Sequence, residues 1–354
     1  MNPDKELIQV RPAHRFDEKA LVDFLKERLE GFTEGLSIRQ FGYGNSNPTF
    51  LLSTGKREYV LRKKPPGKLL PSAHAVDREY RILKALRGTG VPVPETYLLC
   101  EDASIIGTPF YIMERIKGRI FRDQTAPEVS DKKERAAIFD AMNETLARIH
   151  LVDWNALGLA DYGKPGNYMA RQVARWTKQY EASKTHEIES MNNLIEWLPK
   201  KVPDDDSTAI VHGDYRLENL ILHPSEPRVL GILDWELSTL GHPVADLAYN
   251  CMGYHLPPFG ASRVGYDPDK LERLGIPTEA DYIAAYCSRT GRQGISNWEF
   301  FLAFSLFRLA AIVQGVYKRG LDGIASSAIA KTYGAQVQFL SDVAWQIVSK
   351  PSMS

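Results

Sequence analysis

Three polar side chains lie at the ends of apolar segments within one short stretch of the sequence. Asp214 follows one such segment, Asn219 precedes the next, and Asp234 follows a third. Phosphoryl transfer requires a carboxylate that orients the attacking hydroxyl and oxygen ligands that hold magnesium against the phosphates. Asp214 has the residue type for the first role, and Asn219 and Asp234 have the types for the second. The alternative is that all three are ordinary turn formers beside core strands.

These residues resemble the motifs of a known superfamily. The order His212-Gly213-Asp214, Asn219 five residues later, and then Asp234 after an apolar strand resembles the catalytic and metal loops of protein-kinase-like enzymes. In its His-Gly-Asp form, with Asp-Trp-Glu in place of Asp-Phe-Gly, the chain is similar to the aminoglycoside phosphotransferase family, which includes choline-kinase-like enzymes. It is most similar to the kinase-like head domain that precedes acyl-CoA dehydrogenase in some fused proteins. The resemblance implies ATP and Mg²⁺ as cofactors and a small-molecule hydroxyl as the acceptor.

The resemblance covers about residues 30–320 and implies an α+β, bilobal protein-kinase-like fold. We expect a small antiparallel-sheet N-lobe at residues 1–115 and a larger, mainly helical C-lobe at residues 116–354. Residues 1–15 are expected to be a poorly ordered arm. Alternation and turn residues predict a five-stranded antiparallel sheet with one helix, residues 75–87, in the N-lobe. Its strands are predicted at residues 37–41, 49–53, 59–62, 96–100 and 110–113.

The first turn of that sheet is where a kinase-like fold covers the ATP phosphates. The resemblance assigns phosphate contacts to four residues of the turn, namely Gly42, Gly44, Asn45 and Ser46. Small residues let backbone amides approach phosphate oxygens closely. The turn has a Gly-x-Gly start without a third glycine, so an ordinary hairpin turn remains the alternative.

The resemblance places the family's phosphate-binding lysine at Arg62. Val60, on the same face of the strand, is also expected to bind the nucleotide. Arginine retains a fixed positive charge for the α- and β-phosphates but departs from the usual pattern. Glu79, on the exposed flank of the following helix, would pair with Arg62 and hold it toward phosphate. The alternatives are that Arg62 belongs to a solvated basic strand end and that Glu79 pairs with Arg78 or Lys84.

The segment Glu114–Gly118 resembles the hinge between lobes, where adenine takes backbone hydrogen bonds. Glu114 and Ile116 are therefore expected to bind the nucleotide base. Backbone contacts leave no signature in residue type, so the sequence places this hinge by resemblance alone.

Other polar residues are expected to support the Asp214 loop. His212 would orient it by bonding to backbone or to Asp234, and His150 is expected to be structural, bonding nearby backbone. Asp246 lies in an apolar run and so needs donors; by resemblance it holds the backbone of the His212 to Asp214 loop. Glu236 could reach a second magnesium.

Charge in the C-terminal region bears on the acceptor. Between Tyr282 and Gly320 the sequence has one acid, Glu299, against several basic residues. This balance favours an anionic acceptor, such as a carboxylate or a phosphate-bearing thioester, over the polycations bound by antibiotic kinases. The resemblance to the fused proteins implies that the acceptor is a hydroxy acid or a hydroxyacyl thioester. Arg308, within an apolar helix, needs an anionic partner, which would be the substrate or an internal salt bridge, for example to Asp246.

Composition excludes some partners. Lys plus Arg and Asp plus Glu number 44 each in 354 residues, so no overall charge favours nucleic acid or membrane. The three separated cysteines indicate reduced thiols in a cytoplasmic protein, and no secretory signal is visible. The apolar run at residues 300–316 contains Arg308 and predicts a buried helix. A homodimer is compatible with the sequence, which does not reveal oligomeric state.

Two other functions remain open at this stage. One is a nucleotide-binding module without catalysis, which the presence of Asp214, Asn219 and Asp234 disfavours. The other is an aminoglycoside-type antibiotic kinase, which requires an acidic acceptor cleft.

Overall fold

The computed structural model describes residues 6–32, 35–43, 47–65, 75–258, 265–323 and 328–349. The strands, numbered in chain order, are β1 Leu7–Ile8, β2 Ser37–Phe41, β3 Thr49–Ser53, β4 Glu58–Lys63, β5 Thr96–Cys100, β6 Phe110–Glu114, β7 Ala209–Val211, β8 Leu220–Leu222, β9 Val229–Ile232 and β10 Thr239–Gly241. The α-helices are α1 Glu18–Arg28, α2 Val76–Leu86, α3 Lys132–Leu151, α4 Tyr168–Ser183, α5 Glu189–Trp197, α6 Pro243–Cys251, α7 Leu271–Leu274, α8 Glu279–Thr290, α9 Trp298–Leu321 and α10 Gly334–Ser349.

Backbone contacts divide the chain into two compact units. Unit 1 comprises Met1–Arg122, Ala126–Thr145 and Leu217–Ser238, and unit 2 comprises Asp123–Thr125, Leu146–Arg216 and Thr239–Ser354. Unit 1 therefore includes chain segments that lie well beyond residue 115. The division into lobes at residues 115 and 116 stays a prediction.

Unit 1 is built on an antiparallel sheet with the strand order β1-β2-β3-β4-β6-β5. One face of the sheet carries Phe50, Leu61 and Ile112 into a core that also contains Leu21 and Leu25 of α1. The alternation of side chains along each strand produces this buried face. The five predicted strands are present at nearly the predicted bounds. The prediction of a poorly ordered arm is wrong for residues 6–15, because β1 pairs with β2 and forms the edge of the sheet.

Unit 1 also contains the β8–β9 hairpin, in which Leu220 is the register partner of Ile232. Helix α2 packs against β5, β6 and a short 3-10 helix, Trp235–Leu237, that follows β9. This packing brings the end of the hairpin to the helix that carries Glu79.

Unit 2 is mainly helical and is organised around α9. Helices α4, α6 and α10 all pack against it. Within the described ranges, α9 is the one helix long and apolar enough to span a membrane, and 67% of its most apolar window is buried inside the protein. The predicted buried helix at residues 300–316 is confirmed. The short strand β10, which pairs with β7, was not predicted from the sequence.

Candidate active site

The side chains of Asn219 and Asp234 originate at the same end of the β8–β9 hairpin. Leu233 N–H donates to the Asn219 carbonyl at 2.8 Å, which ties the two ends of the hairpin together. Asp234 has a φ of +66°, the left-handed conformation that Asp and Asn tolerate better than most residues. The buried indole of Trp235 donates to the Ile232 carbonyl at 3.0 Å and holds the turn that follows.

These two side chains form a donor set that suits magnesium. Carboxylate and amide oxygens are the hard ligands that Mg²⁺ prefers, and it keeps waters and substrate phosphates as its remaining ligands. Asn219 is nearly buried, and the Asp234 side chain is 30% exposed. No cluster of three or more His, Cys, Asp or Glu residues with the geometry of a metal site occurs in the part of the chain that the structure describes. The two oxygen donors at the end of the hairpin suit a magnesium ion whose other ligands are phosphate oxygens and water. The metal role of Asn219 and Asp234 stays a prediction.

Arg62 on β4 lies among three carboxylates. Its Nε donates to Glu79 Oε2 at 2.8 Å, its Nη2 donates to Asp234 Oδ1 at 2.5 Å, and Glu236 Oε2 lies 4.0 Å from Nη2. Burial alone would lower the pKa of Arg62, but the charges of Glu79 and Asp234 raise it well above its ordinary value. The guanidinium therefore stays charged. The predicted contact of Glu236 with a second magnesium stays a prediction.

The prediction that Glu79 lies on the exposed flank of its helix is wrong, since its exposure is 1%. Helix α2 packs against the sheet and the 3-10 helix, so this face of α2 points inward. Burial raises the pKa of Glu79 to about 7, against the opposing charge of Arg62. The predicted pairing with Arg62 is confirmed, whereas Arg78 donates to the Ser238 carbonyl and Lys84 lies over the Tyr80 ring.

The start of the predicted phosphate turn is held by neighbouring residues. Gly42 N–H donates to the Glu6 carbonyl at 2.9 Å, and Tyr43 OH donates to Glu218 Oε2 at 2.7 Å. The Arg122 guanidinium lies 3.7 Å from the centroid of the Tyr43 ring. Phosphate binding by Gly42 stays a prediction. The other three predicted residues of this turn, Gly44, Asn45 and Ser46, lie outside the described residues.

Part of the segment that is expected to bind the base is hydrogen-bonded to the neighbouring chain of the sheet. Glu114 N–H donates to the Glu95 carbonyl at 2.8 Å, while its carboxylate accepts from Glu95 N–H at 3.1 Å. The Ile116 carbonyl accepts from Arg115 Nη1 at 3.0 Å. Val60 is buried in β4. The roles of Glu114 and Ile116 in binding adenine, and of Val60 in binding the nucleotide, stay predictions.

In unit 2, a buried carboxylate holds the loop that carries Asp214. Asp246 accepts from His212 N–H at 2.5 Å and from Gly213 N–H at 2.8 Å, as the sequence predicted. Burial opposes ionisation of Asp246, but hydrogen bonds from His150 and Gly213 lower its pKa below its ordinary value. The predicted bond from His150 to backbone is wrong, because its ring contacts the Asp246 carboxylate at 3.5 Å and Tyr286 OH at 2.7 Å.

The Asp214 carboxylate is fixed by side chains within unit 2. Its Oδ1 accepts from Tyr249 OH at 2.7 Å, and Arg216 Nε lies 3.4 Å from the same oxygen. Asp214 N–H donates to His212 Nδ1 at 3.2 Å, which confirms the predicted bond from His212 to backbone. Sequence reasoning missed Tyr249. The available signal was its position three residues after Asp246, which puts both on one face of α6.

Arg308 contacts backbone and aromatic rings. Its Nη2 donates to the Gly213 carbonyl at 2.7 Å. The guanidinium carbon lies 5.1 Å from the Tyr249 ring centroid and 5.4 Å from the Trp176 ring centroid. The alternative of a salt bridge to Asp246 is wrong, because that carboxylate is engaged by the loop and His150. Substrate binding by Arg308 stays a prediction.

A pocket of unit 2 includes both side chains that contact the Asp214 carboxylate. Its empty space, including the part open to solvent, is about 410 Å³. Among the described residues that line it, one side chain is cationic and none is a carboxylate. The pocket is lined by Gln124, Arg216, Tyr249, Asn250, Met252, Gly253, Tyr266 and Leu309.

Comparison with known proteins agrees with this arrangement. A family model described as the phosphotransferase enzyme family, APH, matches residues 37–286. The chain is 49% identical over 342 residues to acyl-CoA dehydrogenase family member 10 of Mus musculus, an alignment that covers 96% of this chain and 32% of that protein. The chain thus spans about a third of the length of this curated relative.

Two solved structures establish the fold. A candidate aminoglycoside phosphotransferase from Ralstonia eutropha JMP134 is 50% identical, with a TM-score of 0.85 and coverage of 94% of this chain and 98% of that one. A mutant of aminoglycoside phosphotransferase APH(4)-Ia, in complex with AMP-PNP and hygromycin B, is 16% identical with a TM-score of 0.60 over 94% and 99% of the chains. The predicted α+β kinase-like fold is confirmed. With the family model spanning most of its length, the chain belongs to the phosphotransferase enzyme family.

Proposed function

We propose that this protein is an ATP- and Mg²⁺-dependent kinase that phosphorylates a hydroxyl group of a small molecule. One observation carries the proposal. Arg62 is held by Glu79 and contacts Asp234, and Asn219 and Asp234 flank the same end of the β8–β9 hairpin in unit 1. This grouping of a cation with magnesium ligands is the one that binds a triphosphate.

The residues divide the chemistry among them. Arg62 neutralises the α- and β-phosphates, and Asn219 and Asp234 hold magnesium through their oxygens. Bound magnesium would neutralise charge on the transferred phosphoryl group. Asp214 accepts a hydrogen bond from the acceptor hydroxyl and orients its oxygen for in-line attack. Because Asp214 is already fixed by Tyr249 and its loop by Asp246, it needs little rearrangement.

Several observations support an anionic acceptor, a hydroxy acid or a hydroxyacyl thioester. The pocket next to Asp214 contains Arg216 and apolar side chains such as Met252 and Leu309, without a carboxylate among its described lining residues. A polycationic aminoglycoside would need acidic groups there. The relative named acyl-CoA dehydrogenase family member 10 also points to acyl thioester metabolism. The buried free thiols of Cys100, Cys251 and Cys287 support the cytoplasm as the compartment.

An acceptor screen tests the proposal. Purified protein with ATP and Mg²⁺ is incubated with hydroxybutyrate, hydroxybutyryl-CoA, choline and kanamycin, and product phosphate is measured by mass spectrometry. We expect a phosphorylated hydroxy acid or thioester. A preference for kanamycin would favour an antibiotic kinase, and nucleotide binding without transfer to any acceptor would favour a non-catalytic module.

The Asp214→Asn variant is the control for chemistry. It should lose about 10²–10⁴-fold in turnover while its ATP affinity stays within a few-fold. Retention of more than about a tenth of the wild-type rate would refute the role of Asp214. Asp234→Asn should instead weaken the Mg²⁺ dependence of ATP binding, because it changes a metal ligand.

A further inference from the structure

A cluster of three side chains from three helices surrounds the Asp214 loop in unit 2. Tyr249 of α6 donates to the Asp214 carboxylate at 2.7 Å, and Arg308 of α9 donates to the carbonyl of the preceding residue, Gly213, at 2.7 Å. The Arg308 guanidinium also lies over the rings of Tyr249 and Trp176, with Trp176 belonging to α4. One arginine therefore contacts both the backbone of the loop and the ring whose hydroxyl holds the carboxylate.

We propose that Tyr249 is a positioning residue for Asp214 and that Arg308 holds Tyr249 in place for this task. The inference rests on the proposed function, because it takes Asp214 to be the group that orients the acceptor hydroxyl. Tyr249 and Arg308 would act through Asp214 and not on the substrate.

The geometry shows why a phenol is suited to this position. A carboxylate on a loop can rotate about its last bond, and a single strong hydrogen bond to one oxygen fixes the direction of the other. The 2.7 Å contact from Tyr249 is in the range of charge-assisted O–H to carboxylate bonds. Arg216 Nε, at 3.4 Å from the same oxygen, is a longer and weaker contact. Of these two contacts to Asp214 Oδ1, the hydrogen bond from Tyr249 is the stronger.

Arg308 has a physical reason to contact the ring. It projects from an apolar helix, and its Nε is buried without a hydrogen-bond partner in the described structure. The faces of Tyr249 and Trp176 provide the negative end of the ring quadrupole, which partly compensates the guanidinium. The cation in turn makes the phenol a stronger hydrogen-bond donor. The same contact fixes the ring and polarises its O–H group.

The protonation states agree with these roles. Burial raises the pKa of Tyr249, as does the nearby charge of Asp214, so the phenol keeps its proton at neutral pH. The charged groups that face this pair are Arg216 of the same loop, Arg308 of α9 and Asp246 of α6. A phenol that keeps its proton can donate its hydrogen bond to the Asp214 carboxylate at neutral pH.

The test compares two tyrosine-to-phenylalanine variants. Tyr249→Phe removes the hydroxyl that contacts Asp214, and Tyr254→Phe removes a buried hydroxyl for which the described structure has no partner. We expect Tyr249→Phe to lower kcat about tenfold, with KM for ATP within about twofold. Tyr254→Phe should leave both values unchanged. Equal effects of the two variants, or an effect of Tyr249→Phe confined to KM, would overturn the inference.

Arg308→Met tests the second part. It removes the cation and the donor while keeping an unbranched side chain, and we expect it to lower kcat with KM for ATP within about twofold. The effects of Tyr249→Phe and Arg308→Met should be less than multiplicative, because the second acts through the first. Fully multiplicative effects would show that Arg308 does not act through Tyr249.

A readout without turnover separates this inference from the proposed function. The carboxyl signals of isotope-labelled aspartate are recorded by NMR at neutral pH, and Asp214→Asn identifies the Asp214 signal by its absence. The chemical shift of Asp214 should differ in Tyr249→Phe, which lacks the hydrogen bond, from its value in the wild type and in Tyr254→Phe. An unchanged Asp214 signal overturns the inference even if the protein is a kinase. A displaced Asp214 signal supports it even if none of the four acceptors is phosphorylated.

Discussion

Replacing Glu79 by glutamine should change how the stability of this protein depends on pH. Glu79 is buried on α2, against Arg62, and burial raises its pKa from 4.5 to about 7. In the unfolded chain the same carboxyl is hydrated and has its ordinary pKa. The folded protein therefore binds this proton more tightly than the unfolded chain does. Glutamine has the shape of the protonated carboxyl but cannot ionise.

The sign and size of the effect follow from this difference in pKa. A group whose pKa is raised in the folded state stabilises fully below its unfolded pKa, and the stabilisation is lost as the pH rises through the folded pKa. A difference of about 2.5 in pKa corresponds to about 3 kcal/mol. The wild type should therefore lose up to about 3 kcal/mol relative to Glu79→Gln between about pH 4.5 and pH 7.5.

Urea denaturation at a series of pH values measures this difference directly. The free energy of unfolding of the wild type minus that of Glu79→Gln should fall with rising pH and level off above about pH 7.5. Glu30→Gln, at an exposed position of the same unit, is the control and should show a constant difference. A constant difference for Glu79→Gln as well would mean that Arg62 keeps Glu79 ionised throughout and would refute the reasoning.

Three further changes test local features of the structure. Asp246→Asn leaves one of two buried loop N–H groups without its acceptor, so urea denaturation should show a loss of about 3 kcal/mol; a loss below about 0.5 kcal/mol would contradict this. In Gly118→Ala the new Cβ would lie 2.2 Å from the Leu222 carbonyl oxygen, and we expect about 1–3 kcal/mol of destabilisation, whereas an unchanged Tm would show that the backbone yields freely. Tyr43→Phe removes the bond to Glu218, so ATP affinity measured by calorimetry should fall up to about tenfold if the turn that Tyr43 belongs to contacts phosphate; unchanged affinity would argue against that contact.

The sheet of unit 1 could be predicted because its longer strands are short runs rich in apolar and aromatic residues, bounded by turn residues or by helix α2. The predicted strands at residues 37–41, 49–53 and 96–100 match the structure. The two strands that were missed, β1 and β10, have two and three residues. Such strands are too short for periodicity and exist only because a partner strand lies beside them. Pairing with a distant partner leaves no local pattern in the sequence.

Some residues of the site could likewise be found from the local sequence, whereas the positions of others depend on contacts with distant parts of the chain. Asp214, Asn219 and Asp234 could be selected because the hairpin and its flanking loops keep them within a short chain segment. Glu79 was assigned to the wrong face, because a single carboxylate on an amphipathic helix normally faces solvent. Its burial depends on Arg62, which lies 17 residues earlier in the chain. Tyr249 was missed because its role depends on packing between helices.

The contacts of Arg62 with Glu79 and Asp234 explain why an arginine suits position 62. A lysine side chain has one nitrogen, which would have to bind both Glu79 and Asp234. Arginine binds them with two different nitrogens, Nε for Glu79 and Nη2 for Asp234. Because guanidinium is planar and rigid, the two bonds fix the direction of α2 and of the hairpin end against one strand. Arginine also keeps its charge when buried, which a lysine in this position would do less firmly. Arg62, which departs from the family pattern, thus forms a buried connection between the sheet, α2 and the magnesium-type ligand Asp234.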